Sequence, residues 1–100
     1  MSRLSQTQCD NVVYHYFLLE GWLPPGTAAD GWRAVTMRDL GMDDPPLPAD
    51  PNLQKKRIAL DLQQYFYVLG SRLASPMGEL QTPTETLGEL AAWCASHQGE

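Results

Sequence analysis

The fold is decided by residues 50–73, which read DPNLQKKRIALDLQQYFYVLGSRL. Asp50 supplies a capping side chain, and the proline after it suits the first position of a helix. Apolar residues then recur at helical spacing over about four turns. This apolar stripe consists of Ile58, Leu62, Tyr65, Phe66, Leu69 and Leu73. We predict one long central helix, ended by the Ser75-Pro76 pair and Gly78.

Two further helices are predicted on either side of this stretch. Residues 5–8, SQTQ, read as a capping box, and the apolar positions after them keep helical spacing until Gly21. Residues 82–85, TPTE, read as a second capping box, from which a last helix runs to about His97. Residues 21–50 are rich in Pro and Gly, and we expect only a short helical turn there, over residues 32–40.

These elements predict an all-α fold, a bundle of three to four helices with a long first loop and no strand pair. We expect residues 1–100 to form one domain, since 100 residues with 43% hydrophobic content suffice for one core. Cys9 and Cys94 are expected to be reduced thiols in that core. Trp22 and Trp32 bracket the long loop, and we expect them to pin it onto the helices.

Charge and hydropathy restrict the class of partner. Seven basic and twelve acidic residues give a net charge of −5, which argues against nucleic acid as a partner. No apolar run reaches the roughly 18 residues of a membrane span, and no signal segment opens the sequence. We therefore expect a cytoplasmic protein that does not insert into membranes.

The sequence offers little for catalysis. Cys94 and His97 are three residues apart, but paired zinc-ligand spacings are missing. There is no nucleophile elbow and no phosphate-binding glycine loop, so we predict no enzyme activity, no metal and no cofactor. Residues 55–57, KKR, form the only basic cluster. It fits either a docking patch for an acidic protein or a solvated face in which Arg57 pairs with Asp61.

Two segments carry a family resemblance. Residues 36–43, TMRDLGMD, resemble the acyl carrier protein family, whose long first loop ends in Asp-Leu-Gly-x-Asp-Ser-Leu. Residues 86–93, TLGELAAW, resemble the start of that family's final helix. The order and spacing of the elements along most of the chain also agree. The resemblance implies a carrier-like helical bundle.

The chain departs from the family at the attachment site. The resemblance places the phosphopantetheine-bearing serine at position 44, where this sequence has Asp44 followed by Pro45. Carriers also present an acidic second helix, whereas this central helix begins with a basic cluster. We therefore expect a non-catalytic interaction module without phosphopantetheine. The expected protein-binding residues are Asp39, Asp43, Asp44, Lys55, Lys56 and Arg57.

Three alternatives stay open at this point. The chain can be a true carrier that is modified at an unusual serine, for which Ser71 and Ser75 are the candidates near the central helix. It can bind an apolar small molecule through its interior and its tryptophans. It can also be an all-α domain unrelated to carriers, with Gly41 acting only as a helix stop.

Overall fold

The computed structural model describes residues 3–40, 51–82 and 85–99. Within these residues the chain is mostly helical, and the predicted all-α class is confirmed. The elements are α1 (Gln6–Leu19), a 3-10 helix (Trp32–Ala34), α2 (Pro51–Val68), β1 (Arg72–Leu73), α3 (Met77–Leu80), α4 (Leu87–Ser96) and β2 (Gln98–Gly99). None of the described helices is long and apolar enough to cross a membrane.

The start of α1 confirms the predicted capping box. The Ser5 hydroxyl accepts a hydrogen bond from the Gln8 backbone N–H at 3.2 Å. In return, the Gln8 side chain accepts from the Ser5 backbone N–H at 2.8 Å. At the other end the chain leaves the helix through Gly21, whose φ of +84° lies in the left-handed region. Both ends are therefore fixed by local residues.

The central helix ends earlier than predicted. α2 stops at Val68, and Gly70 follows with a φ of +88°. The Ser71 N–H donates to the Phe66 carbonyl at 2.9 Å, and the Gly70 N–H donates to the Tyr67 carbonyl at 3.0 Å. This pair of bonds is a Schellman motif, which closes a helix at a left-handed glycine. The expectation that the helix runs through Leu73 to Ser75-Pro76 and Gly78 was wrong.

A short strand pair takes the place of the last predicted turn. β1 and β2 pair antiparallel, with Leu73 opposite Gln98. No strand pair was predicted from the sequence. Strands of two residues are too short to produce an alternating apolar pattern, which is why this pair was missed. α3 then begins directly after Pro76. The segment that was expected to end one helix therefore starts another.

The last helix begins later than predicted but ends as expected. Its N-cap is Thr86, whose hydroxyl accepts from the Glu89 N–H at 3.1 Å. Thr82 was predicted to cap this helix; its hydroxyl instead contacts the Gly78 carbonyl at 3.4 Å. Helix α4 ends at Ser96, with His97 as the C-cap.

The described part of the long loop is held against α1 and α4. Trp32 is buried and its ring lies 5.7 Å from that of Tyr14, while Trp22 packs against the core, so the predicted pinning role is confirmed. The helical turn predicted over residues 32–40 is only the three-residue 3-10 helix. After it, the Leu87 N–H donates to the Val35 carbonyl at 2.8 Å, and Thr36 forms a β-bridge with Thr86.

An ion pair between the exposed Arg33 and a buried carboxylate ties the same loop to α1. The Arg33 guanidinium contacts the Asp10 carboxylate at 2.5 Å, and Asp10 is 7% exposed. The Gln6 side chain donates to the second Asp10 oxygen at 2.9 Å. The buried carboxylate therefore has partners on both oxygens, which offsets the unfavourable desolvation of its charge.

The core lies mainly between α1 and α4, with α2 packed against it. The two helices contact each other more extensively than any other pair of elements. Its largest fully buried side chains include Phe17, Phe66, Leu62, Leu87 and Leu90. Of the predicted central stripe, Tyr65 and Leu69 remain 40% and 53% exposed. The stripe is therefore only partly covered by the rest of the chain.

The carboxamide of Gln98 joins three distant segments. Its Nε2 donates to the Leu4 carbonyl at 2.9 Å and to the Ala95 carbonyl at 3.1 Å. Its Oε1 accepts from the Leu4 N–H at 2.5 Å and from the Ser71 hydroxyl at 2.6 Å. Gln98 is 4% exposed, so these bonds replace contacts with water that the amide has lost.

We expect Gln98→Ala to lower the free energy of unfolding by roughly 2–4 kcal/mol, because it leaves several buried polar groups without partners. Urea denaturation measures this directly. Gln64→Ala is the matched control, since Gln64 is exposed on α2 and its loss should change stability by no more than about 0.5 kcal/mol. Equal effects of the two substitutions would contradict a stabilising role for the network.

Candidate functional site

The basic cluster at the start of α2 is divided by the helix. Successive residues point about 100° apart, and Lys55 falls on the buried side, where it is 5% exposed. Lys56 and Arg57 lie on the exposed side. The prediction that all three side chains form one surface patch is therefore corrected, and two cations remain on the surface.

Arg57 lies beside two carboxylates. Its guanidinium is 3.8 Å from Asp61 and 3.9 Å from Glu20. The local pairing with Asp61 that the sequence suggested is present. Both contacts are long and the Arg57 side chain is 75% exposed, so we assign them little stabilising energy. The guanidinium can exchange these partners for others.

Asp61 also connects α2 to α1. The Tyr16 hydroxyl donates to its Oδ2 at 2.7 Å, and the rings of Tyr16 and Tyr65 meet edge to face at 5.3 Å. Burial, followed by the hydrogen bond to Asp61, raises the pKa of Tyr16 well above its usual range. Tyr16 therefore stays neutral and acts as a donor that holds the Asp61 carboxylate in place.

Two exposed leucines flank the surface cations. Leu53 and Leu60 are 64% and 58% exposed. Together with Lys56 and Arg57 they occupy positions i, i+3, i+4 and i+7 of α2, which share one side of a helix. These four residues, here called the docking face, line a shallow depression of ≈ 400 Å³. Apolar and cationic groups therefore lie side by side on the surface.

Asp39 of the carrier-like motif closes a local turn with Thr36. Asp39 is exposed, and its Oδ2 accepts from the Thr36 N–H at 3.1 Å. The Thr36 hydroxyl accepts from the Asp39 N–H at 3.0 Å, so the two residues close a local turn. Asp43 and Asp44, the other acidic residues predicted to bind a partner, lie outside the described residues.

A second surface lies between α1 and α2. This groove, here called the α1/α2 groove, measures ≈ 290 Å³. It is lined by Asn11, Val12, His15, Tyr16, Leu19, Tyr65, Val68 and Leu69. Leu19 and Val68 are more than 70% exposed, at 76% and 71%. No tryptophan lines the groove, in contrast to the expected role of tryptophans in an apolar ligand site.

The two candidate serines differ in accessibility. Ser71 is fully buried and its hydroxyl donates to Gln98. A transferase can reach it only if this part of the chain opens, which argues against its modification. Ser75 is exposed, just after the strand β1.

The cysteine and histidine side chains are engaged or buried. Burial raises the pKa of Cys9 to about 11 and that of Cys94 to about 12, so both thiols stay protonated and unreactive at neutral pH. The His97 ring stacks on Trp93 at 4.1 Å, and its Nδ1 contacts the Trp93 carbonyl at 2.9 Å. In the described part of the chain no three His, Cys, Asp or Glu residues form a metal-binding group.

Two features of the structure were not predicted from the sequence. One is the exposure of Leu53 and Leu60. Their spacing of seven residues, outside the apolar stripe that contains Ile58 and Leu62, was the sequence pattern that could have indicated it. The other is Glu85, a buried carboxyl whose pKa is raised to about 7. Burial is the main cause, followed by contact with the Glu79 carboxyl and the charge of Glu89. The charge state of Glu85 therefore changes near neutral pH.

This raised pKa predicts that stability falls as pH rises. The native state keeps a proton on Glu85 between the ordinary glutamate pKa of about 4.5 and about 7, whereas the unfolded chain has lost it. Above that window, ionising the buried carboxyl is unfavourable by roughly 3 kcal/mol. Glu85→Gln mimics the protonated form, so we expect it to stabilise the protein at pH 8 and to have little effect at pH 5.

Thermal unfolding of the wild type and Glu85→Gln at both pH values tests this dependence. Asp30→Asn is the matched control, because Asp30 is an exposed loop residue and its neutralisation should shift the unfolding temperature equally at pH 5 and pH 8. A Glu85→Gln variant that gains no stability at pH 8 would contradict the assignment.

No known family model, curated protein or solved structure matches this chain. Function is therefore inferred from the docking face, the α1/α2 groove and the chemistry of their residues.

Proposed function

We propose that this chain is a non-catalytic protein–protein interaction module of carrier-protein-like architecture that carries no phosphopantetheine. The observation that supports an interaction role is the docking face, where two exposed leucines flank two surface cations. Large apolar side chains clustered on a surface and bordered by polar groups are typical of interaction sites. The buried and engaged thiols, Ser71 and His97 leave few groups for covalent chemistry.

The carrier-like part of the proposal is supported by the order of the elements. Helices α1, α2 and α4 follow one another as the first, the long and the last helix, in the order that the resemblance implies. Asp44 stands where the resemblance places the modified serine, and a carboxylate cannot form the phosphodiester that a serine hydroxyl forms. A carrier-like shape without the attachment residue retains only docking.

The residues of the docking face indicate which side chains a partner presents to it. Lys56 has no ion pair within the described residues, and the two contacts of Arg57 are long enough to exchange. We therefore expect a protein segment that places at least one carboxylate against these cations and an apolar side chain against Leu53 or Leu60. Complementary charge would steer and orient this segment, while apolar burial would supply most of the affinity.

Site-specific photocrosslinking tests the docking face. A benzophenone amino acid in place of Leu60, expressed in the native host, should give a covalent adduct with another protein chain after irradiation. The same probe in place of Ala92, an exposed residue on α4, is the control and should give no such adduct. Equal adducts from both positions, or none from position 60, would overturn the proposal.

The charge of the face is tested in the same assay. Arg57→Glu should lower the yield of the adduct about fivefold, because Arg57 is the cation whose long contacts can be exchanged for a carboxylate of the partner. Arg38→Glu changes the net charge by the same amount at another exposed position and should leave the yield unchanged. If both substitutions lower the yield of the adduct equally, the loss results from the net charge of the protein and not from the docking face.

The α1/α2 groove supports a second candidate function, the binding of a small apolar molecule. Its volume of ≈ 290 Å³ lies at the lower end of the range for ligand sites, and its lining is almost entirely apolar. N-phenyl-1-naphthylamine should then bind with a saturable rise in fluorescence that decanol reverses. Val68→Glu should abolish this signal, whereas Leu53→Glu, on the docking face, should preserve it. A wild-type protein without saturable binding would remove this function.

A further inference from the structure

The outward side of α2 carries a regular apolar stripe. Leu53, Leu60 and Tyr67 are 64%, 58% and 58% exposed. They follow one another at intervals of seven residues, which is two turns of the helix and keeps them on one line. These three residues are here called the α2 stripe. The stripe extends the docking face along the whole length of the helix.

The stripe points away from the body of the protein. The opposite side of α2 packs on the core through Ile58, Ala59, Leu62 and Phe66. At about 100° per residue, the middle of this buried set lies nearly half a turn from the line of the stripe. Another helix can therefore approach the stripe without meeting α1 or α4.

The stripe is also symmetric about its central residue. Leu53 and Tyr67 lie seven residues before and after Leu60. A two-fold axis through Leu60 and perpendicular to α2 places each Leu53 opposite Tyr67 of a second copy, and Leu60 opposite itself. An interface between identical surfaces requires this kind of self-complementarity.

The charges beside the stripe fit the same axis. In the antiparallel arrangement, Arg57 of one copy faces residues 61–64 of the other, on the same flank of the helix pair. Asp61 lies in that segment and is already within 3.8 Å of Arg57 in its own chain. Lys56 on the opposite flank faces the neutral Gln63, and Arg72 lies beside Gln63 in a surface depression that Leu60 and Tyr67 also line. Opposite charges therefore meet twice, once on each side of the two-fold axis, through Arg57 and Asp61.

We propose that a second copy of this chain occupies the docking face, so that the protein is a homodimer in which the α2 stripes pack antiparallel about a two-fold axis at Leu60. This inference rests on the proposed docking function of α2 and names its partner. The apolar layers are Leu53 with Tyr67, Leu60 with Leu60, and Tyr67 with Leu53. The Arg57 and Asp61 side chains border them.

Sedimentation equilibrium measures the association. At loading concentrations from about 5 to about 500 µM, a range that covers weak helix-mediated interfaces, the wild type should approach twice the monomer mass. Leu60→Glu places two carboxylates on the symmetry axis and should remain monomeric throughout. Leu19→Glu makes the same change at an exposed leucine in the α1/α2 groove and should associate like the wild type.

Disulfide crosslinking tests the antiparallel geometry. Leu60→Cys should form an intermolecular disulfide under mild oxidation, since the two side chains meet at the axis. Leu53→Cys alone should not, because its two copies are separated by 14 residues, about 21 Å along the helix. A mixture of Leu53→Cys and Tyr67→Cys should give the mixed disulfide. Cys9 and Cys94 are buried and stay out of the reaction.

The outcomes separate this inference from the proposed function. A monomeric wild type overturns the homodimer, and so does a Leu53→Cys protein that crosslinks efficiently to itself. If the benzophenone probe at position 60 then captures a different protein, the docking face stands and its partner is not a second copy. If that probe captures no chain at all, both proposals fail.

Discussion

The buried carboxamide of Gln98 is the interaction on which the other contacts at this end of the fold depend. An amide offers two donors and an acceptor oxygen with two lone pairs, and here all four positions are used by Leu4, Ala95 and Ser71. The segment before α1, the segment after α2 and the end of α4 are thereby brought to one point. The pairing of β1 with β2 follows, because Gln98 is itself a strand residue opposite Leu73. Together with the Asp10–Arg33 pair, this network defines how the helices meet, while apolar burial supplies the bulk of the stability.

Local signals in the sequence predicted the elements whose ends are set locally. The capping box at Ser5 depends only on neighbouring residues, and it was found. The end of α2 was missed because Leu69 and Leu73 continue the apolar spacing, whereas a left-handed Gly70 closes the helix first. The start of α4 was placed too early because Thr82 and Thr86 both have an acidic residue three positions on. The bridge from Thr36 to Thr86 is a tertiary contact, and no local pattern reports it.

The candidate site was predictable to a similar degree. The three adjacent cations at residues 55–57 can be read directly from the sequence. The rotation of the helix, however, buries Lys55 and leaves Lys56 and Arg57 on the surface. Asp39 was a candidate binding residue because of the carrier-like motif. In the structure its carboxylate closes a turn with Thr36. The apolar half of the docking face was not predicted, because a leucine on a helix is exposed or buried according to which side its neighbours cover. Burial is a property of the assembled fold, and Leu53 and Leu60 show this most clearly.

The hydrogen bonds between Leu4 and Gln98 also affect how the chain can fold as it is made. These two residues are 94 positions apart, and α1 packs chiefly against α4, which is synthesised after α1, α2 and α3. At about 5 to 20 residues per second, the ribosome needs roughly 5 to 20 seconds to pass from one to the other. During that time the long loop and α2 can cover only part of α1, because the side that packs on α4 lacks its native partner. This side of α1 therefore stays exposed until the segment that ends at Gln98 has left the ribosome.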